Sequence, residues 1–291
     1  GMNVAPVAAA EAKAVDNGEI VVLYTNDIHC GIDEKDSMGI TGVAAYKADM
    51  IAQYGADSVT LVDCGDAIQG TALGTLSKGD YMVDIMNAVG YDLAIFGNHE
   101  FDYSIPTLKE HVEKSKATYL ACNFSYVGEK EAETLSVAPY AIKEYDGVKV
   151  AYVGISTPET LVKSTPKYFM NEKGEYVYSF AQGEDGKELY ATVQKAVDAA
   201  RKEGAKYVVA LGHLGVEEES KPYRSTDVIA NTKGIDVVLD GHSHTTVVAE
   251  NVKNAEGKDV LLSQTGTKLA AMGKLVITKD GKISTELVES K

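Results

Sequence analysis

Five short segments of this chain carry side chains that ligate metals or move protons. They are Asp27 and His29 in NDIH, Asp66 in DCGD, Asn98, His99 and Asp102 in GNHEFD, His213 in GH, and His242 and His244 in GHSH. The chain has six histidines, and five of them sit in these segments. Imidazole, carboxylate and one amide oxygen, without a thiolate, suit divalent metals of borderline to hard character such as Mn, Fe, Co or Zn. Asp27, His29, Asp66, Asn98, His213, His242 and His244 are seven candidate ligands. That exceeds the four of one structural zinc and suffices for two metals sharing a carboxylate. Paired metals about 3.5–4 Å apart clamp the attacking and leaving oxygens of a displacement at phosphorus.

Each segment follows a short apolar run: IVVLYTN (20–26), SVTLVDC (58–64), DLAIF (92–96), YVVALG (207–212) and IDVVLD (235–240). Runs of this kind read as strands buried on both faces. Apolar residues at 43, 46, 50, 51 and 54, at 82, 85, 86 and 89, and at 189, 193, 196, 197 and 200 make helix stripes facing a core. Strand and helix in alternation predict an α/β fold, whose ligands gather at the carboxyl ends of strands. A lone Asp or His after a strand is ordinarily a turn, a cap or a satisfied polar residue. Five in succession, each at a strand end, point to one site. Three further pairs of runs read as hairpins, at 140–155 and 274–288 with Asp-Gly turns and across 245–266. The sheets are therefore expected to be mixed, within one domain over residues 19–291. Residues 123–139 and 163–186 read as loops. His111, on a helix away from the five segments, reads as a surface residue.

The net charge is -15, with only two arginines, Arg201 and Arg224. That balance excludes a grip on long nucleic acid. No apolar run reaches the roughly 18 residues of a membrane span. Three widely spaced cysteines (Cys30, Cys64, Cys122) form neither a CxxC motif nor a disulfide framework. Residues 1–18 are alanine-rich, without core periodicity, and read as a disordered linker or the segment following a removed signal.

NDIH, DCGD, GNHEFD, GH and GHSH, in this order, resemble the N-terminal calcineurin-like metallophosphoesterase domain of the 5'-nucleotidase / UDP-sugar hydrolase / 2',3'-cyclic-nucleotide phosphodiesterase family. The resemblance covers about residues 20 to 288. It implies a four-layer α/β/β/α sandwich with two mixed sheets. One divalent metal ion would be held by Asp27, His29, Asp66 and His244. A second would be held by Asp66, Asn98, His213 and His242, with Asp66 bridging. Asp102, three residues after His99, is close enough to accept a hydrogen bond from its ring, and the resemblance assigns such a His–Asp dyad to transition-state stabilisation. The implied activity is phosphoester hydrolysis by a metal-activated hydroxide on a small phosphorylated substrate, nucleoside monophosphate to nucleoside plus phosphate. A non-nucleotide phosphoester and a metal-bearing surface scaffold without turnover are the alternatives. The implied location is secreted, periplasmic or cell-surface.

Two features depart from the family pattern. Cys30 follows the first histidine where small residues are common, and reads as a packed neighbour of the site. The resemblance also implies a C-terminal domain that supplies base stacking and substrate arginines in the nucleotidases, and that domain is expected to be absent from residues 19–291. Arg224, after His213, is a candidate phosphate contact. Tyr103, Tyr168, Phe169 and Tyr223 read as packing residues, and Glu100 as a structural carboxylate holding loop backbone. Gly65, Gly97, Gly212 and Gly241 are expected to permit tight turns.

Overall fold

Fourteen strands and seven α-helices make up the described part of this computed structural model, residues 18–129 and 134–290. All but Gly18 of the alanine-rich segment lies outside these residues. The chain lays down β1 (Ile20–Thr25), β2 (Val59–Asp63), β3 (Leu93–Ile95), β4 (Thr118–Leu120) and a short β5 (Ser125–Tyr126). Next come the hairpin of β6 (Tyr140–Tyr145) with β7 (Val148–Ser156), a short β8 (Tyr178–Ser179), β9 (Tyr207–His213) and β10 (Val237–Leu239). Two hairpins follow, β11 (Thr246–Lys253) with β12 (Asp259–Thr265) and β13 (Met272–Ile277) with β14 (Ile283–Val288). All three hairpins expected from the sequence are present.

Two six-stranded sheets result, in the orders β14-β13-β1-β2-β3-β4 and β11-β12-β10-β9-β7-β6. β1 to β4 run parallel, as do β7, β9, β10 and β12, while the hairpin partners at the edges are antiparallel. Both sheets are therefore mixed. Helices α1 (Gly39–Tyr54), α2 (Thr71–Ser77), α3 (Asp80–Val89) and α4 (Ile105–Lys114) connect the parallel strands of the first sheet. α5 (Thr160–Lys163), α6 (Lys187–Lys202) and α7 (Ser225–Ala230) belong to the second.

The apolar runs are continuous because each sheet is covered on both faces. Along β1, Val21 and Leu23 pack with Val43, Met50 and Met82 of the helices, while Val22 and Tyr24 face the other sheet. In the second sheet Val209 and Leu211 of β9 join that inter-sheet core, and Val208 and Ala210 pack with Leu189, Val193 and Val197 of α6. Helix, sheet, sheet, helix is the four-layer order the resemblance implied. Polar contacts cross the middle layer where apolar atoms stop: Tyr24 to Ser263 at 2.5 Å, and Thr60 through Tyr145 to Tyr152 at 2.6 Å each.

His111 is not on the surface. It is 3% exposed on α4, because it continues the helical stripe of Ile105 and Leu108 into the packing beside Ile68 and Gly79. Burial lowers its pKa, so it sits there neutral. All five phenylalanines of the chain gather in one cluster. Phe101, from GNHEFD, lies 5.2–5.6 Å ring to ring from Phe96, Phe124, Phe169 and Phe180. That cluster anchors the Asn98–Asp102 turn from below and accounts for Phe169 as a packing residue.

Candidate metal centre

The five strand ends converge. Asp27, His29 and His244 offer one ligand atom each, all within 4.8 Å of one another, and Asp66, His213 and His242 do the same. These residues come from both sheets, so the site forms at the edge where the two meet.

The local backbone is strained to achieve this. Asp27, His29, Asp66, His242 and His244 all have left-handed conformations, with φ between 47° and 85°. Such residues cost about 1–3 kcal/mol each and persist where surrounding contacts over-determine them. Here the contacts are hydrogen bonds between loops. Asp27 N–H donates to the Gly65 carbonyl (2.9 Å), His29 N–H to that of Asp66 (2.8 Å) and Lys268 N–H to that of Asp27 (2.8 Å). Glu100 is the anchor between two of the loops. Its Oε1 accepts from the backbone N–H of Asp66 and of Gly97, both at 2.6 Å, and its Oε2 from Ala67 N–H at 2.9 Å. Burial, with Asp66 and Asp63 nearby, pushes the Glu100 carboxyl up to about 8.

Gly65 has φ +94°, and a Cβ there would lie 2.6 Å from Gly97 N, so both conformation and space require glycine. Gly97 differs from the expected tight turn. Its φ is −82°, which any residue adopts, but a Cβ would collide with the Asp66 carboxylate.

The hydrogen bonds leave one atom of each side chain uncommitted. Asp27 Oδ2 accepts from Asn26 Nδ2 (2.6 Å) and His242 N–H (2.9 Å); Oδ1 has no partner. Asp66 Oδ1 accepts from His99 N–H at 2.8 Å. Its Oδ2 lies 3.0 Å from His213 Nε2 and 3.6 Å from His29 Nε2, between the two groups. His213 Nδ1 donates to the Cys64 carbonyl at 2.7 Å, leaving Nε2 inward. His29 Nδ1 is 3.0 Å from both oxygens of Gln69, again leaving Nε2. His242 is reversed: its Nε2 is 3.1 Å from Glu159 Oε1, which leaves Nδ1.

Four buried polar side-chain atoms lack a partner among the described residues, and three of them are Asp27 Oδ1, Asn98 Oδ1 and His213 Nε2. Buried polar atoms are almost always satisfied, and a carboxylate, an amide oxygen and an imidazole nitrogen left open together match what a divalent cation requires. The residues fit the metals that the fold family implies. The carboxylates also shape the protonation of the histidines. Burial opposes a charge on His213, but Asp66 and Asp27 outweigh it and raise its pKa well above the ordinary value. A cation held there would take the place of a proton.

His99 points its Nδ1 to Asp102 Oδ2 at 2.7 Å. That bond, against partial burial and helped by Asp66, pushes His99 up to about 9. Its ring lies 5.4 Å from that of His29. Arg224 is committed elsewhere, to Asp227 (2.8 Å) and Glu218 (3.0 Å) at the start of α7. Cys30 is buried with its thiol toward the Ala67 carbonyl and pushed up to about 12, and Cys64 is wholly buried with its thiol toward Leu239; neither offers a thiolate.

Sequence reasoning passed over Glu159. It follows β7 directly, in STPET, as Asp27 and Asp66 follow β1 and β2. The same strand-end rule would have found it. Glu159 also walls a cavity of about 380 Å³, together with Tyr176, Gln182 and Tyr223.

Two helix-flanked mixed sheets are the fold this chain shares with solved 5'-nucleotidase and calcineurin-like phosphoesterase structures. The chain belongs to the family described as bacterial capsule synthesis protein PGA_cap, which matches residues 49–261. It is similar to a snake venom 5'-nucleotidase of Naja atra, 32% identical over 239 residues, covering 78% of this chain and 41% of that protein. It is also similar to a 2',3'-cyclic-nucleotide 2'-phosphodiesterase/3'-nucleotidase of Haemophilus influenzae, 27% identical over 265 residues, covering 81% and 37%. A 5'-nucleotidase precursor from Thermus thermophilus superposes with TM-score 0.75 at 25% identity, covering 93% of this chain and 55% of that one. The family resemblance drawn from the five motifs is thereby borne out. The chain spans about two fifths of the length of the curated relatives it matches.

Proposed function

We propose that residues 19–291 form a metal-dependent phosphoester hydrolase domain that acts on nucleotides. The observation that carries this reading is the pair of converging groups, Asp27 with His29 and His244 and Asp66 with His213 and His242, beside buried atoms without a partner among the described residues at Asp27, Asn98 and His213. Asp27, His29, Asp66 and His244 would hold one divalent cation, and Asp66, Asn98, His213 and His242 the other. The chemistry that two such cations supply is to acidify a water and to neutralise the attacking and leaving oxygens at phosphorus.

The chain's own residues do the remainder. Asp66 Oδ2 lies 3.0 Å from His213 Nε2 and 3.6 Å from His29 Nε2, and the backbone N–H of His99 holds Oδ1, an orientation in which Oδ2 would be free for the cations. His99, held by Asp102 and charged at neutral pH, directs an N–H toward developing negative charge on the phosphoryl or leaving oxygen. The cavity bounded by Glu159, Tyr176, Gln182 and Tyr223 offers two aromatic rings and an amide for the nucleoside. The names of the relatives support a nucleotide substrate, and the snake venom proteins among them support a secreted, periplasmic or cell-surface location.

The test is hydrolysis with Mn²⁺ of AMP and p-nitrophenyl phosphate, read as phosphate release, and of UDP-glucose and a 2',3'-cyclic nucleotide, read by chromatography of the products. Turnover that chelation abolishes is expected, with Tyr176→Ala raising KM for AMP and leaving p-nitrophenyl phosphate unchanged. A generic ester cleaved without preference for AMP would assign the chain to a non-nucleotide substrate. No turnover of any ester with metal bound would leave a metal-bearing scaffold and overturn the reading.

A further inference from the structure

We infer that Glu159 is a positioning residue of the centre, holding His242 in the tautomer and orientation that present Nδ1 to Asp66 and His213. The inference rests on the metal reading above. Its Oε1 lies 3.1 Å from His242 Nε2, and both side chains are nearly buried, 10% and 11% exposed. A neutral imidazole carries one N–H. When a carboxylate accepts it at Nε2, the lone pair is left on Nδ1.

His242 needs this control more than its neighbours. His29 and His213 make their hydrogen bonds through Nδ1 and turn Nε2 inward. His242 makes its bond through Nε2, on a backbone held at φ 85°, so ring rotation would take its ligand atom out of the group. The chain places a fixed carboxylate at this point. Glu159 Oε2 is paired with Lys163 at 2.6 Å, and its backbone N–H donates to Thr157 Oγ1 at 3.1 Å. The loop after β7 thus reaches across to orient a ligand supplied by the loop after β10. Carboxylate partners of ligating histidines fix ring orientation and raise ligand basicity, and their loss typically costs about 10–100-fold in metal affinity.

The experiment is Mn²⁺ titration calorimetry of the chelated and dialysed chain, with elemental analysis of metal content, for wild type, Glu159→Gln, Glu159→Ala and Lys163→Met. Two equivalents are expected in wild type. Glu159→Ala should weaken one of the two by about 10–100-fold and leave the other in place. Glu159→Gln, close to isosteric and still able to accept from Nε2, should lose less. Lys163→Met should bind within about twofold of wild type, since it leaves the carboxylate on His242. If Glu159→Ala and Glu159→Gln bind both equivalents with wild-type affinity, the positioning role is wrong. If Lys163→Met loses as much as Glu159→Ala, the effect belongs to the 157–163 turn and not to the carboxylate on His242. A wild-type chain that binds no Mn²⁺ overturns the metal centre itself, separately from any variant.

Discussion

His99 and Asp102 show how little of a residue's chemistry belongs to the residue alone. An unperturbed histidine is mostly neutral at pH 7. The 2.7 Å bond to Asp102 and the charge of Asp66 raise His99 to about 9, so it is an imidazolium at neutral pH. The sign follows directly: a raised pKa means the charged form is present below it and lost as pH rises through it. Hydrolysis that depends on this charge should therefore decline on the alkaline side, at a pH below about 9 by as much as bound cations repel the imidazolium. Asp102→Asn removes the charge and leaves Nδ1–H a neutral amide acceptor at best, and should move that limb toward the ordinary histidine range. His99→Ala should lower kcat by about 10²–10³-fold while metal content stays near wild type. A pH–rate profile with p-nitrophenyl phosphate and elemental analysis of the same samples checks both, and an unchanged alkaline limb in Asp102→Asn would remove the dyad from the mechanism.

At the scale of elements, the short 3-10 turn Asn98–Phe101 does three jobs with four residues. Asn98 keeps a buried amide oxygen without a partner among the described residues, Phe101 fills the phenylalanine cluster, and Glu100 collects four backbone N–H groups from two loops. Glu100→Ala leaves those donors buried and unpaired, at about 1–3 kcal/mol each before relaxation. The expected result is a lowered urea midpoint together with weaker Mn²⁺ binding, because the N–H of Asp66 is one of the freed groups. A variant with wild-type midpoint and wild-type metal content would show that the loops are held by other contacts. The hairpins were legible in the sequence because Asp-Gly turns and alternating runs act over a few residues. The three-residue strands were less so. β4, Thr118–Leu120, has only the short apolar run 119–122 to mark it, and its pairing is parallel to β3.

At the scale of the molecule, the candidate ligands come from both sheets: Asp27, Asp66 and Asn98 from the first, His213, His242 and His244 from the second. Cations bound there would join two layers that also meet through side-chain packing and hydrogen bonds. Linkage then makes stability depend on metal, since the unfolded chain has no such site. At free Mn²⁺ about 100 times Kd, each site should add about 2.7 kcal/mol. Chelation should remove it, read as a fall in the urea midpoint. A midpoint that ignores Mn²⁺ would mean that the two groups do not bind it in the folded state.

What this sequence determined by itself was the order of strands and helices around five polar strand ends, and which residue types stand at each. Those are local facts: an apolar run, a glycine, then a carboxylate or imidazole. Only the tertiary structure decided that His111 is inside, that Gly97 is glycine to make room for Asp66, that Arg224 is tied to Asp227 and Glu218, and that Glu159 meets His242. Each of those depends on a neighbour tens of residues away or on the direction of a side chain, which spacing along the chain does not encode. The ligand nitrogen of each histidine is the sharpest case. His29, His213 and His242 look alike as letters, and the hydrogen bond on the far side of the ring, to Gln69, to the Cys64 carbonyl or to Glu159, chooses which atom faces the site.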